Sequence, residues 1–90
     1  MKQKSKSIEA LKGIYVDYKE HFDNDVPKTM YYLATCIGKI SDRDLQTALA
    51  LELDAYFVSL GYGRNTFIDI MNQYTQDLKE LYAKCVSLSA

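Results

Sequence analysis

The sequence predicts an all-α fold, a four-helix up-down antiparallel bundle, and three observations lead there. Apolar residues recur at spacings of three and four in four separate segments, the repeat of a helix with one face against a core. Between the segments stand short runs of Asn, Asp, Gly and Pro, residues that favour turns and helix ends. Nowhere does the chain alternate apolar and polar residues with the period of two that a half-buried strand requires. Short connections make consecutive helices antiparallel neighbours.

The first helix is expected over about residues 7–23, where Ile8, Leu11, Tyr15, Tyr18 and Phe22 share one side. Lys12, Asp17, Lys19 and Glu20 point away from it. Asp23-Asn24-Asp25-Val26-Pro27 breaks the pattern, because Pro suits the first turn of a new helix and Asn or Asp suits its cap. The second helix therefore spans about 26–38, capped by Asn24 or Asp25, with Met30, Leu33, Ala34 and Ile37 inward. Gly38 is placed to end it. A segment this short is stable only when packed.

Ser41, followed three residues later by Asp44 and then Leu45, has the form of a capping box with an acid in place of Glu or Gln. It opens a third helix over about 42–60. Leu45, Leu49, Leu53, Tyr56 and Leu60 make its main stripe, while Leu51 and Val58 project to the other side with Ala48 and Ala55 between. A helix apolar on two sides is central in a bundle or forms half of an interface. Gly61-Tyr62-Gly63-Arg64-Asn65 makes a tight connection, with Gly61 suited to the left-handed residue after a helix end. The fourth helix, about 65–88, opens at Asn65 or Thr66. Phe67, Met71, Tyr74, Leu78, Leu81, Cys85 and Leu88 alternate spacings of four and three without a miss, the seam of a helix packed along its neighbours.

Ninety residues enclose one core, so residues 1–90 form a single helical domain, with 1–6 a basic, flexible N-terminal segment. Hydrophobic residues at 48% and charged residues at 26% are the balance of a folded domain. A net charge of −1 gives no overall attraction to nucleic acid or anionic lipid. The positive N-terminus leads directly into an amphipathic segment and no apolar run approaches the ~20 residues of a membrane span, so a cytoplasmic protein without membrane attachment is expected. Cys36 and Cys85, far apart and without metal-ligand spacing, read as small buried hydrophobes.

Chemistry is poorly represented. His21 is the single histidine and reads as a surface or packing residue. Asp23/Asp25 and Asp42/Asp44 flank helix starts, where carboxylates cap and complement the dipole. Glu52 and Asp54, two apart on a helix, diverge and cannot meet on one substrate atom or metal. Gly61-x-Gly63 lacks the third glycine of a phosphate loop, Thr66 standing there, and follows a helix instead of a strand. No enzyme, cofactor or metal site is therefore expected.

A binding role remains. Of eight tyrosines, Tyr15, Tyr18, Tyr56 and Tyr74 fall on core stripes, whereas Tyr32 is expected to be exposed opposite Met30, Leu33 and Ile37, and Tyr62 sits on a loop. Amphipathic aromatics among acids are the composition of a protein-binding hot spot. Tyr32, Leu51, Asp54, Val58, Tyr62 and Arg64 form the candidate partner-binding set. The expected function is a non-catalytic protein-binding module. It would be a small inhibitor of the immunity or antitoxin kind, masking a basic toxin or nuclease, or a chaperone or adaptor, with a homodimer through helix three as a further partnership. The alternative is a helix-turn-helix regulator using helices three and four, with Arg64, Asn65 and Thr66 opening the recognition helix. Against it, Phe57 occupies a position where a small residue allows close helix approach. In addition, seven acids face three bases between Asp42 and Glu80, where phosphates would have to be met.

Overall fold

The structure, a computed structural model, describes the backbone of residues 2–89 and the side chains of residues 7–88. Within them the chain forms four helices: α1 (Lys2–His21), α2 (Val26–Gly38), α3 (Arg43–Ser59) and α4 (Thr66–Ser89). They pack as an all-α four-helix bundle. The backbone is already helical at Lys2, ahead of Ser7 where the expected helix begins.

α1 stops at His21, and the chain reverses through Asp23 and Asn24, both left-handed with φ of 56° and 61°. Asp and Asn are the non-glycine residues that tolerate this conformation. Asp25 then caps α2 by accepting the backbone N–H of Lys28 at 3.1 Å, with Pro27 in the first turn. α2 ends at Gly38 as expected, but not through a left-handed glycine: the cap is Lys39, in the right-handed region. What Gly38 supplies is room. A Cβ there would lie 2.6 Å from the ring of Tyr74 on α4.

At the start of α3 the expected capping residue is corrected from Ser41 to Asp42, whose carboxylate accepts the N–H of Leu45 at 3.1 Å. A carboxylate answers both the unpaired N–H groups and the positive end of the helix dipole, which a hydroxyl does less well.

The core draws Ile8, Leu11 and Tyr15 from α1, Met30, Leu33 and Ile37 from α2, Leu49, Leu53 and Phe57 from α3, and Phe67 from α4. Phe57 is fully buried, and Leu60, placed on the expected stripe, is 48% exposed because it lies at the cap where the chain leaves the helix. α2 and α3 touch each other and both outer helices, whereas α1 and α4 do not meet among the described residues. This departs from a simple ring in chain order, in which the first and last helices would be neighbours. Its cause is the breadth of the apolar surface of α3. Tyr56 meets Tyr15 of α1 edge to face at 6.1 Å, and Phe57 meets Phe67 of α4 at 5.5 Å.

Candidate protein-binding surface

α3 positions its neighbours with two polar side chains. Near its start, the Gln46 amide donates to the carbonyl oxygens of Ile37 at 3.1 Å and Ile40 at 2.7 Å, satisfying acceptors at the C-terminal end of α2. Near its other end, the Asp54 carboxylate accepts the backbone N–H groups of Asn65 and Phe67, each at 3.1 Å. Asp54 is only 8% exposed. It thus caps α4 from a neighbouring helix, an arrangement that complements Asn65, which is left-handed with φ of 66°.

That placement corrects the expectation that Asp54 belongs to a partner-binding surface, since both its oxygens are engaged inside the fold. Tyr62, expected on the loop as part of the binding set, does lie there but is half-buried. Its ring packs edge-on to Phe57 at 6.2 Å and its hydroxyl lies 3.4 Å from that of Tyr15. Tyr15 is buried, which pushes its phenol well above the ordinary range, with the hydrogen bond to Tyr62 adding to the shift. Tyr32 is also half-buried, 4.8 Å from the ring of Tyr18 and 5.8 Å from Phe22, because the end of α1 reaches across the side of α2 that the helical wheel leaves open. His21 joins this cluster, edge to face with Tyr18 at 5.6 Å.

The other three residues of the expected set are exposed. Leu51 is 59% exposed and lines a groove between α3 and α4 with Arg43, Ile68, Met71 and Thr75. Val58 is 38% exposed, and Arg64 is exposed on the connection to α4. The surface is also less acidic than the sequence count implies. Of the acids between Asp42 and Glu80, Asp54 is buried and Asp77 is half-buried, accepting from the Tyr31 hydroxyl at 2.6 Å and the Gln73 amide at 2.8 Å. These bonds hold the Asp77 carboxyl below its ordinary range and the Tyr31 phenol above its own.

The helix-turn-helix arrangement gains nothing from this geometry. Residues 60–65 separate α3 from α4, longer than the tight turn of that motif, and the N–H groups that would face a phosphate at the start of α4 already meet Asp54.

The largest departure from expectation lies at the other end of α4. The seam there was expected to pack along its neighbours, and it does so only from Phe67 to Tyr74: Phe67 is buried, and Met71 and Tyr74 are half-buried, the latter edge to face with Tyr31 at 5.7 Å. From Leu78 through Leu88 every residue is exposed. Helix lengths explain this. α4 has 24 residues, whereas the helices it packs against, α2 and α3, have 13 and 17. At about 1.5 Å per residue, α4 outruns α3 by roughly 10 Å.

The exposed end is not polar. Leu78 is 44% exposed, Leu81 59%, Tyr82 73%, Val86 51% and Leu88 87%. Leu78, Lys79, Leu81, Tyr82 and Cys85 line a shallow apolar trough along it. Cys85, expected in the core, is exposed there, and Cys36 is half-buried, with no disulfide between them. Taking each fully exposed side chain as roughly 150–250 Å², Leu78, Leu81, Tyr82, Val86 and Leu88 offer roughly 500–800 Å² of apolar surface, as large as the largest such patch on an ordinary monomer. Patches of this size mark interaction sites. The seam residues are all legible in the sequence as one apolar side, but periodicity reports that a helix has such a side and not how far its neighbours extend to cover it.

Among the described residues, no helix is long and apolar enough to cross a membrane, and no group of three or more His, Cys, Asp or Glu could hold a metal ion. In comparisons with known proteins, no family model, no curated protein and no solved structure matches the chain.

Proposed function

We propose that the chain is a non-catalytic protein-binding module, and that the apolar stripe on the C-terminal half of α4 is the surface it presents to another protein. One observation carries this reading: a regular seam of large apolar side chains runs for three helical turns beyond the bundle that covers its first half. Exposing so much apolar surface costs free energy that only a partner's surface returns, at roughly 25 cal/mol per Å² covered. An amphipathic helix with anchors at alternating spacings of three and four is the form in which helices recognise grooves or other helices.

The acidic groups support a structural role over a chemical one. Asp25, Asp42 and Asp54 cap helices, and Asp77 is held by Tyr31 and Gln73. In this reading the protein is a small inhibitor, chaperone or adaptor that works by covering its partner. The sequestering of Asp54 and Asp77 moves the weight of recognition from charge, as a basic nuclease would require, to apolar contact. An exposed thiol at Cys85 on the stripe suits a reducing compartment, which supports action in the cytoplasm.

The test is capture from native lysate by the immobilised full chain, after nuclease treatment, beside the double variant Leu78→Ser/Leu81→Ser. Stoichiometric protein held by the wild type and released by the variant is the expected result. Retention of nucleic acid alone, lost with nuclease, would overturn it.

A further inference from the structure

The partner at this stripe is identified by its own spacing. Leu78, Leu81, Cys85 and Leu88 stand at intervals of three, four and three, which read the same in both directions about Ala83. A two-fold interface needs a patch that complements itself, so that residue i meets j and j meets i. We propose that the exposed half of α4 pairs with the same segment of a second copy of this chain, antiparallel, in a symmetric dimer; this rests on reading the stripe as protein-binding and names its occupant.

In that pairing Leu78 lies level with Leu88 of the second copy and Leu81 with its Cys85, each twice by symmetry, giving four apolar layers with no polar residue in the seam. Tyr82 flanks the centre and meets its own counterpart, where two phenol rings stack while their hydroxyls stay in water. Area favours the same occupant. Without Val86, which points away from the seam, two stripes bury roughly 800–1,300 Å² together, around the lower edge of what specific protein interfaces bury. Residues 78–88 carry Lys79, Glu80 and Lys84 and no other charged side chain; Lys84, on the flank opposite Tyr82, meets its own counterpart at a solvent-exposed edge where water and salt screen the pair. Lys84 of one copy comes within reach of Glu80 of the other. Geometry selects the antiparallel sense. An overlap centred on Ala83 places the two bundles at opposite ends of the paired segment, whereas a parallel pair would force them side by side. The overshoot of α4 beyond α3 makes room for the second helix.

Sedimentation equilibrium of the full chain over a micromolar concentration series, with covalent trapping, tests this. The wild type is expected to be a reversible dimer, and Leu81→Asp to weaken association by about a hundredfold or more while helix content by circular dichroism is unchanged. Leu81→Cys, oxidised, is expected to give a covalent dimer that disappears when Cys85→Ser is added, because position 81 faces position 85 of the other copy. A wild type that stays monomeric, or a crosslink that persists without Cys85, overturns the antiparallel dimer. If the wild type is monomeric yet the immobilised chain still takes up a foreign protein that Leu81→Asp releases, self-pairing fails and the protein-binding reading stands. If Leu81→Asp unfolds the chain, the stripe is core and both fail.

Discussion

Asp54 is the residue on which the junction of α3 and α4 depends. Its carboxylate holds two backbone N–H groups that would otherwise stand unpaired at the start of a helix, in a place water scarcely reaches. Asp54→Ala is expected to cost about 1–3 kcal/mol, the usual consequence of leaving buried donors unsatisfied, with Asp54→Asn intermediate. Urea unfolding midpoints of the three proteins measure this; an Ala variant as stable as the wild type would show that the cap contributes nothing. The hydrogen bond between Tyr31 and Asp77 makes a separate prediction in pH. Asp77 is lowered from 3.8 chiefly by the Tyr31 hydroxyl, so its contribution is complete above that value and is lost as pH falls through the lower folded pKa. Tyr31 is raised from 10.0 by the same bond, so its contribution is complete below pH 10.0 and is lost as pH rises beyond it. Asp77→Asn should therefore flatten the acid limb of the stability profile followed by thermal unfolding, and an acid limb identical to that of the wild type would remove Asp77 from the account.

At the scale of elements, the four helices and most of their inward faces are legible in the chain, because helical periodicity and capping chemistry are local. Met30, Leu33 and Ile37 are buried as their spacing requires, and Asp25 caps as its place before Val26-Pro27 requires. Three things were not legible, each for a reason of distance. The choice of Asp42 over Ser41 turns on backbone geometry at one residue. The burial of Asp54 and Tyr62 depends on where the connection of residues 60–65 folds back, which no helical wheel encodes. The fate of the α4 seam depends on the lengths of α2 and α3, so one uninterrupted pattern of Phe67, Met71, Tyr74, Leu78, Leu81, Cys85 and Leu88 serves two purposes. Its first half closes the core and its second half stands outside it. Of the expected site, Leu51 and Val58, which the pattern left as core or interface, are exposed, and the exposed apolar stripe of α4 lies apart from them.

For the whole molecule, shape and surface agree with this division. A compact chain of this length has a radius of gyration of about 12 Å, and one of this mass exposes roughly 5,400 Å². The observed values are 14.2 Å and 6391 Å², with a long axis of 46 Å against 33 and 23 Å. The protruding half of α4 contributes to this excess, and burying it against a partner removes the most apolar part of it. On the proposed reading, the molecule keeps its stability and its binding surface on separate residues. Urea unfolding of Leu81→Asp beside Leu53→Ala, at concentrations low enough that the chain is monomeric, separates a core role for the end of α4 from a binding role. Leu53→Ala, emptying a fully buried site, is expected to lose about 2–5 kcal/mol while Leu81→Asp unfolds with the wild type. A comparable loss for Leu81→Asp would contradict the binding role, placing the end of α4 in the core and not on a binding surface.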